Sequence, residues 1–102
     1  MSLTAVFAAL ANDERLAILR TLADSARETG RGASISSLAD AVGITRFSAS
    51  RHLRILATAG LVTVRRSGHA LIHRLEPAGL DIVEDWLYAH LPDVWPLQSN
   101  GS

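Results

Sequence analysis

Two glycines and a change of period constrain this chain more than anything else in it. Gly43 follows a short stretch whose apolar residues Leu38, Ala39 and Val42 repeat at helical spacing. Gly60 follows a longer one, residues 45–58. A glycine just past the last periodic residue takes the left-handed position at which helices stop. Short helix, three-residue turn containing glycine, longer helix is the pattern of a helix-turn-helix. Beyond Gly60 the apolar period drops from 3.6 to 2. Residues 61–66 and 70–75 alternate as strands around Ser67-Gly68-His69, a hairpin signal.

The flanking segments complete the order. Leu3, Val6, Phe7 and Leu10 form one apolar stripe of a first helix. Asn12 reads as an N-cap, with Asp13 and Glu14 suited to the positive end of a second helix whose stripe is Leu16, Leu19, Leu22 and Ala23. Residues 25–34 are polar, contain two Gly and read as a loop, and Ser36 is expected to cap the third helix. Pro77 opens a fifth helix with Leu80, Val83, Leu87 and Leu91 on one stripe and Asp81, Glu84 and Asp85 on another; Pro92 ends it. The expected fold is mainly α with a β-hairpin, four helices, two strands and a last helix, in one domain over residues 1–95 with a flexible tail at 96–102.

The chain has 102 residues, ten Arg and Lys together, ten acids and no Cys. A domain this small buries only about 60–65% of the surface its unfolded chain exposes and gains from a partner subunit. Without Cys there are no disulfides, thiolate metal sites or cysteine nucleophiles. The net charge of zero hides an uneven distribution. Residues 41–75 hold Arg46, Arg51, Arg54, Arg65, Arg66 and Arg74 and no acid, while residues 76–102 hold five acids and no Arg. Such a block points to a polyanionic partner. Residues 3–11 are apolar but have no preceding basic residue, which argues against a signal peptide. No window approaches the ~18 apolar residues of a membrane span. A cytoplasmic protein without a membrane partner is expected.

At about 100° per residue, Ala49, Leu53, Leu56 and Ala57 share the inner face of the fourth helix. Phe47, Arg51, Arg54 and Thr58 fall opposite, Ser50 flanks them, and Arg46 and Ser48 occupy the first turn. An Arg fork pairs bidentately with guanine O6 and N7, while Ser hydroxyls and helix-terminal amides suit phosphate oxygens. First-turn residues are those a recognition helix aims at base edges. Phe47 has two outcomes open, packing on a thymine methyl or folding back onto the preceding turn. On the hairpin, Arg65, Arg66 and His69 surround the tip, with Arg74 on the return strand. Arg near a hairpin tip suits phosphates or a narrow minor groove.

The segment Phe7-Ala8-Ala9-Leu10-Ala11-Asn12-Asp13-Glu14-Arg15-Leu16-Ala17-Ile18-Leu19 resembles the opening of ArsR-type (ArsR/SmtB) winged helix-turn-helix repressors. Residues 35–41 are similar to their third helix, and Thr45 to Leu56 with Ala59-Gly60-Leu61-Val62 to their recognition helix and its exit. Arg65-Arg66-Ser67-Gly68 followed by His73-Arg74-Leu75 resembles their wing. The likeness runs in unbroken order over residues 3–91. It implies a homodimeric transcriptional repressor that binds double-stranded operator DNA and dimerises through its first and last helices. The stripes Leu3/Val6/Phe7/Leu10 and Leu80/Val83/Leu87/Leu91 lie outside the helix-turn-helix and agree with that. A two-fold dimer presents its recognition helices about one DNA turn apart to a near-palindromic site.

Departures from the family pattern matter as well. Family metal sensors carry a Cys pair on the third helix, so the absence of Cys excludes thiolate sensing and persulfide switching here. A second family site uses Asp-x-His and a distal His-x-x-Glu/His pair on the last helix. Here position 83 is Val and position 93 is Asp, leaving only Asp81 and His90, so no metal and no cofactor are assigned. Arg46 and Phe47 stand where small polar residues are common in the family, and the 25–34 loop is longer than usual. A small-molecule effector would fit a dimer groove lined by Trp86, Tyr88 and His90, with Trp95 beyond. His52 lies on the flank of the fourth helix, open either to a phosphate contact or to local packing, and His73 is expected half-buried. No catalytic spacing of Ser, His and Asp or of paired carboxylates occurs, so an enzyme is not expected. The alternative is a winged helix that docks an acidic protein without sequence-specific DNA binding.

Overall fold

The computed structural model describes residues 2–91. In chain order the elements are α1 (Leu3–Leu10), α2 (Asp13–Glu28), β1 (Ala33–Ser34), α3 (Ile35–Val42), α4 (Arg46–Thr58), β2 (Val62–Ser67), β3 (Ala70–Leu75) and α5 (Pro77–His90). This is the expected winged helix-turn-helix order with one small strand added. The tail at 96–102, Pro92 and Trp95 lie outside the described residues.

Short polar side chains cap the helices where their first N–H groups lack partners. Asn12 Oδ1 accepts from Arg15 N at 2.9 Å and Thr45 Oγ1 from Ser48 N at 3.0 Å. Gly43 adopts φ 80°, ψ 35°, and Gly60 follows α4 with φ 79°, as their positions after the helices demand. Two boundaries depart from expectation. The second helix continues through Glu28, where polar residues on its solvent side include an Arg27–Asp24 ion pair. The third is capped by Ser34, not Ser36, and so begins two residues early. The segment between them forms β1, which pairs antiparallel with β3 through Ala33↔His73 and Ser34↔Ile72. The sheet order is β1-β3-β2, and the β2–β3 hairpin registers Ser67 on Ala70 around a Gly68-His69 turn.

One core joins the helices to the base of the wing. Val6, Ile18, Leu22, Leu38, Leu56 and Leu61 are its largest fully buried side chains. The inner face of α4 is Ala49, Leu53 and Leu56; Ala57, expected with them, is exposed, so the inner stripe is narrower than expected. On α2, Ile18 is buried and Leu16 is 46% exposed, so that stripe is rotated from the expected one. Val6 corrects the expected dimer stripe: at 0% exposure it is spent on the protomer's own core and has no surface left for a partner.

Glycine is required at two close approaches. A Cβ at Gly79 would sit 2.8 Å from the Gly60 carbonyl oxygen, where the Gly79 N–H donates at 3.1 Å. This contact seats the start of α5 on the exit of α4. A Cβ at Gly32 would meet the His73 carbonyl oxygen at 2.2 Å, so only glycine lets the chain lie flat against β3. Among the described residues no helix is long and apolar enough to cross a membrane.

Candidate nucleic-acid interface

Packing of Ala49, Leu53 and Leu56 on the core turns the other side of α4 outward. Arg46, Arg51 and Arg54 are exposed on it, and no residue of α4 is acidic. Phe47 is 74% exposed, so it does not fold back on the α3–α4 turn. Ser48 and Ser50 are half-buried, which confines them to the margin of the outer face. The first turn of α4 also offers backbone N–H groups, a feature that attracts anions.

The hairpin stands beside this helix. A groove of about 360 Å³ separates them, lined by Arg46, Ser50 and Leu53 from α4 and by His69, Leu71 and His73 from the wing. Three of the expected site residues, Arg46, Ser50 and His69, are therefore brought to one concavity. Strand alternation divides the two wing arginines that the sequence placed together. Arg66 pairs with Leu71 and, by register, falls in the same alternation as Val64 and His73. Arg65 pairs with Ile72 and shares the opposite face with Arg74. His73 is 8% exposed, and its Nδ1 lies 3.3 Å from the Ala33 carbonyl oxygen, to which it donates.

His52 belongs to a local clamp. Arg15 carries only donors, so the 3.3 Å contact from its Nη1 makes His52 Nδ1 the acceptor. The proton then sits on Nε2, which donates to Glu14 Oε1 at 2.7 Å. Arg15 also donates through Nε to the Ala9 carbonyl at 2.6 Å and through Nη2 to that of Ala8 at 3.3 Å. One guanidinium thus joins the end of α1 and the start of α2 to the recognition helix. Sequence reading left His52 open and gave Arg15 no role; the Arg15–His52 contact spans 37 residues and carries no local signal.

Of the expected dimer residues, Phe7, Leu80 and Leu91 are 37–40% exposed. Leu3, Leu10, Val83 and Leu87 are half-buried, and Leu10 and Val83 pack against the core. Phe7 meets Trp86 edge-on at 5.9 Å, and Trp86 stacks on His90 at 4.5 Å. The His90 ring is further held by Nδ1 donating to the Trp86 carbonyl at 2.8 Å. Among the described residues no group of three or more His, Asp or Glu is placed to hold a metal ion.

Comparison with known proteins places this arrangement. Residues 10–65 match the family described as helix-turn-helix domain. A curated relative is the HTH-type transcriptional regulator KmtR of Mycobacterium tuberculosis, 41% identical over 71 residues. The alignment takes in 70% of this chain, which spans 50% of that relative's length. Among solved structures, an ArsR-like transcriptional regulator from Rhodococcus sp. RHA1 superposes with a TM-score of 0.72 at 28% identity, over 96% of this chain and 86% of that one. A homodimeric winged helix-turn-helix DNA-binding domain from Mycobacterium bovis gives a TM-score of 0.64 at 31% identity, over 86% and 83%.

Proposed function

The chain belongs to the ArsR-type family of winged helix-turn-helix transcriptional regulators, and we propose that it is a homodimeric repressor, one winged-helix unit over residues 1–95, acting in the cytoplasm on a near-palindromic operator. The observation that carries this reading is the outer face of α4, where Arg46, Arg51 and Arg54 stand exposed on a helix with no carboxylate of its own. In the proposed complex Arg46, Phe47 and Arg51 read base edges in the major groove. Ser48, Ser50 and Arg54 hold the flanking phosphates, and Arg65, Arg66 and His69 hold the backbone or minor groove from the wing. The homodimeric relative supports a dimer; in our reading it is built on Phe7, Leu80 and Leu91 with the half-buried Leu3, Leu10, Val83 and Leu87 around them. Occupancy of the operator would occlude the promoter. A small-molecule effector would release it by favouring a dimer whose recognition helices are mis-spaced.

The test is operator selection from a random duplex library, followed by affinity against single base-pair changes at several salt concentrations. Arg51→Ala is expected to lose discrimination at one base pair per half-site, costing roughly 1–3 kcal/mol there. Binding should also fall steeply with salt. Equal affinity of wild type for the selected and random duplexes would refute the reading and leave a module that docks an acidic protein.

A further inference from the structure

A second groove, of about 910 Å³, lies on the side of the wing turned away from α4. Four guanidinium-bearing residues line it: Arg31 from the segment between α2 and β1, and Arg65, Arg66 and Arg74 from the wing. The opposite wall is hydroxylic, with Thr21 and Ser25 of α2 and Ser37 of α3. No lining residue is a carboxylate. Among the described residues neither Arg31, Arg65, Arg66 nor Arg74 is in an ion pair. Four cations left unpaired along one concavity repel each other, and an anion placed between them relieves that repulsion.

The groove is held in shape by its own chain. Ser25 Oγ donates to the Arg31 carbonyl at 2.8 Å, and Thr29 Oγ1 accepts from Arg31 N at 3.1 Å. Arg74 reaches across from the wing, its Nη2 donating to the Gly30 carbonyl at 3.2 Å. Gly32 keeps the segment against β3, as its missing Cβ requires. The long polar stretch after α2 is thus a wall that brings Arg31 to the wing. The sheet itself separates this groove from the one beside α4. Leu71 and His73 line the α4 side, and Ile72 and Arg74 line the other, as alternation demands. A duplex laid along α4 of the same protomer reaches the wing from the side of Leu71 and His73 and meets Arg65 and Arg66 only near the hairpin tip, leaving Arg31 and Arg74 open.

We propose that this groove binds a small phosphorylated anion with at least two adjacent phosphoryl groups, and that its occupancy weakens DNA binding. The cavity lies within the ~300–1,000 Å³ range of small-ligand sites, and Arg forks match phosphoryl oxygens bidentately. Bound there, the anion engages Arg65 and cancels positive charge on the wing that the duplex otherwise meets. The DNA arm of this inference rests on the operator-binding reading; the binding arm does not.

Inorganic pyrophosphate is the probe, titrated by calorimetry into the DNA-free protein at ionic strength held constant with chloride. Saturable binding is expected, weakened at least tenfold by Arg31→Ala and unchanged by Arg54→Ala on the recognition helix. Arg31 is exposed and its side chain is in no ion pair, so its loss leaves the fold intact; a thermal melt checks this. Saturating pyrophosphate should then weaken operator binding about tenfold, inside the range usual for effector coupling, with no such change in Arg31→Ala. No binding above the chloride control, or binding indifferent to Arg31→Ala, overturns the site. If instead Arg31→Ala weakens a long duplex more than a short one while pyrophosphate fails to bind, the groove serves flanking DNA phosphates and the small-ligand proposal is wrong. Pyrophosphate binding in a protein that selects no operator would support the site and refute only the regulatory arm.

Discussion

Replacing Arg15 by Ala should destabilise the fold far more than the loss of an ordinary half-exposed arginine. The side chain closes three contacts: Nε to the Ala9 carbonyl at 2.6 Å, Nη2 to the Ala8 carbonyl at 3.3 Å, and Nη1 to His52 Nδ1 at 3.3 Å. The two carbonyls belong to the last turn of α1; that of Ala8 also accepts from Ala11 N at 3.2 Å. A hydrogen bond to a charged group contributes ~1.5–3 kcal/mol when well formed. The short contact to Ala9 takes the lower end of that range because the residue is half-exposed, and the two longer ones add about 0.5 kcal/mol between them. The expected loss is therefore about 2 kcal/mol, or roughly 8–16 °C in Tm for a domain of this size. Urea denaturation at fixed protein concentration measures it, since a dimer's midpoint moves with concentration. Arg15→Lys should recover less than half, because a single ammonium cannot fork between two carbonyls and a ring nitrogen. A double cycle with His52→Ala isolates the α4 contact, for which a coupling of about 0.5 kcal/mol is expected. A loss below about 0.5 kcal/mol for Arg15→Ala, or full recovery by Lys, would show that the clamp is surface decoration.

Gly79→Ala is expected to lower Tm, since overpacking against the Gly60 carbonyl and Leu61 costs about 1–3 kcal/mol and outweighs the ~1 kcal/mol helix propensity that Ala supplies; a stabilised variant would refute the close seating of α5. Val6→Ala and Phe7→Ala, adjacent in sequence, should separate stability from assembly. Val6 is fully buried, so its truncation costs about 2 kcal/mol of folding free energy. Phe7 is 40% exposed, so its truncation should raise the dimer dissociation constant about tenfold or more in sedimentation equilibrium.

What the sequence disclosed and what it hid divide along a physical line. Helix ends and the hairpin were legible because the groups that set them are local: Asn12 and Thr45 cap amides three residues on, and Gly43 and Gly60 take positive φ beside the residues they stop. The exposed Arg face of α4 was legible because one helix has one inner stripe, and Ala49, Leu53 and Leu56 declare it. Periodicity falters where a helix has neighbours on two sides. Val6 sat on a stripe meant for a partner yet fills the core, and Ile18 displaced Leu16 because α2 packs against α1, α3 and α4. Alternation does say that Arg65 and Arg66 face opposite ways, but it says nothing of what stands opposite either one. That depends on where residues 29–34 return to the sheet, which turns on β1 being two residues long and on Gly32 passing so close to β3 that a Cβ would sit 2.2 Å from the His73 carbonyl oxygen. The basic block therefore looked like one surface in sequence and is two in space. Arg46 lines the groove on the α4 side, and Arg65, Arg66 and Arg74 line the other, where they meet an Arg31 that lies outside the block altogether. In the proposed regulation an anion on one side weakens a duplex on the other, because the two sites share a hairpin only two strands wide.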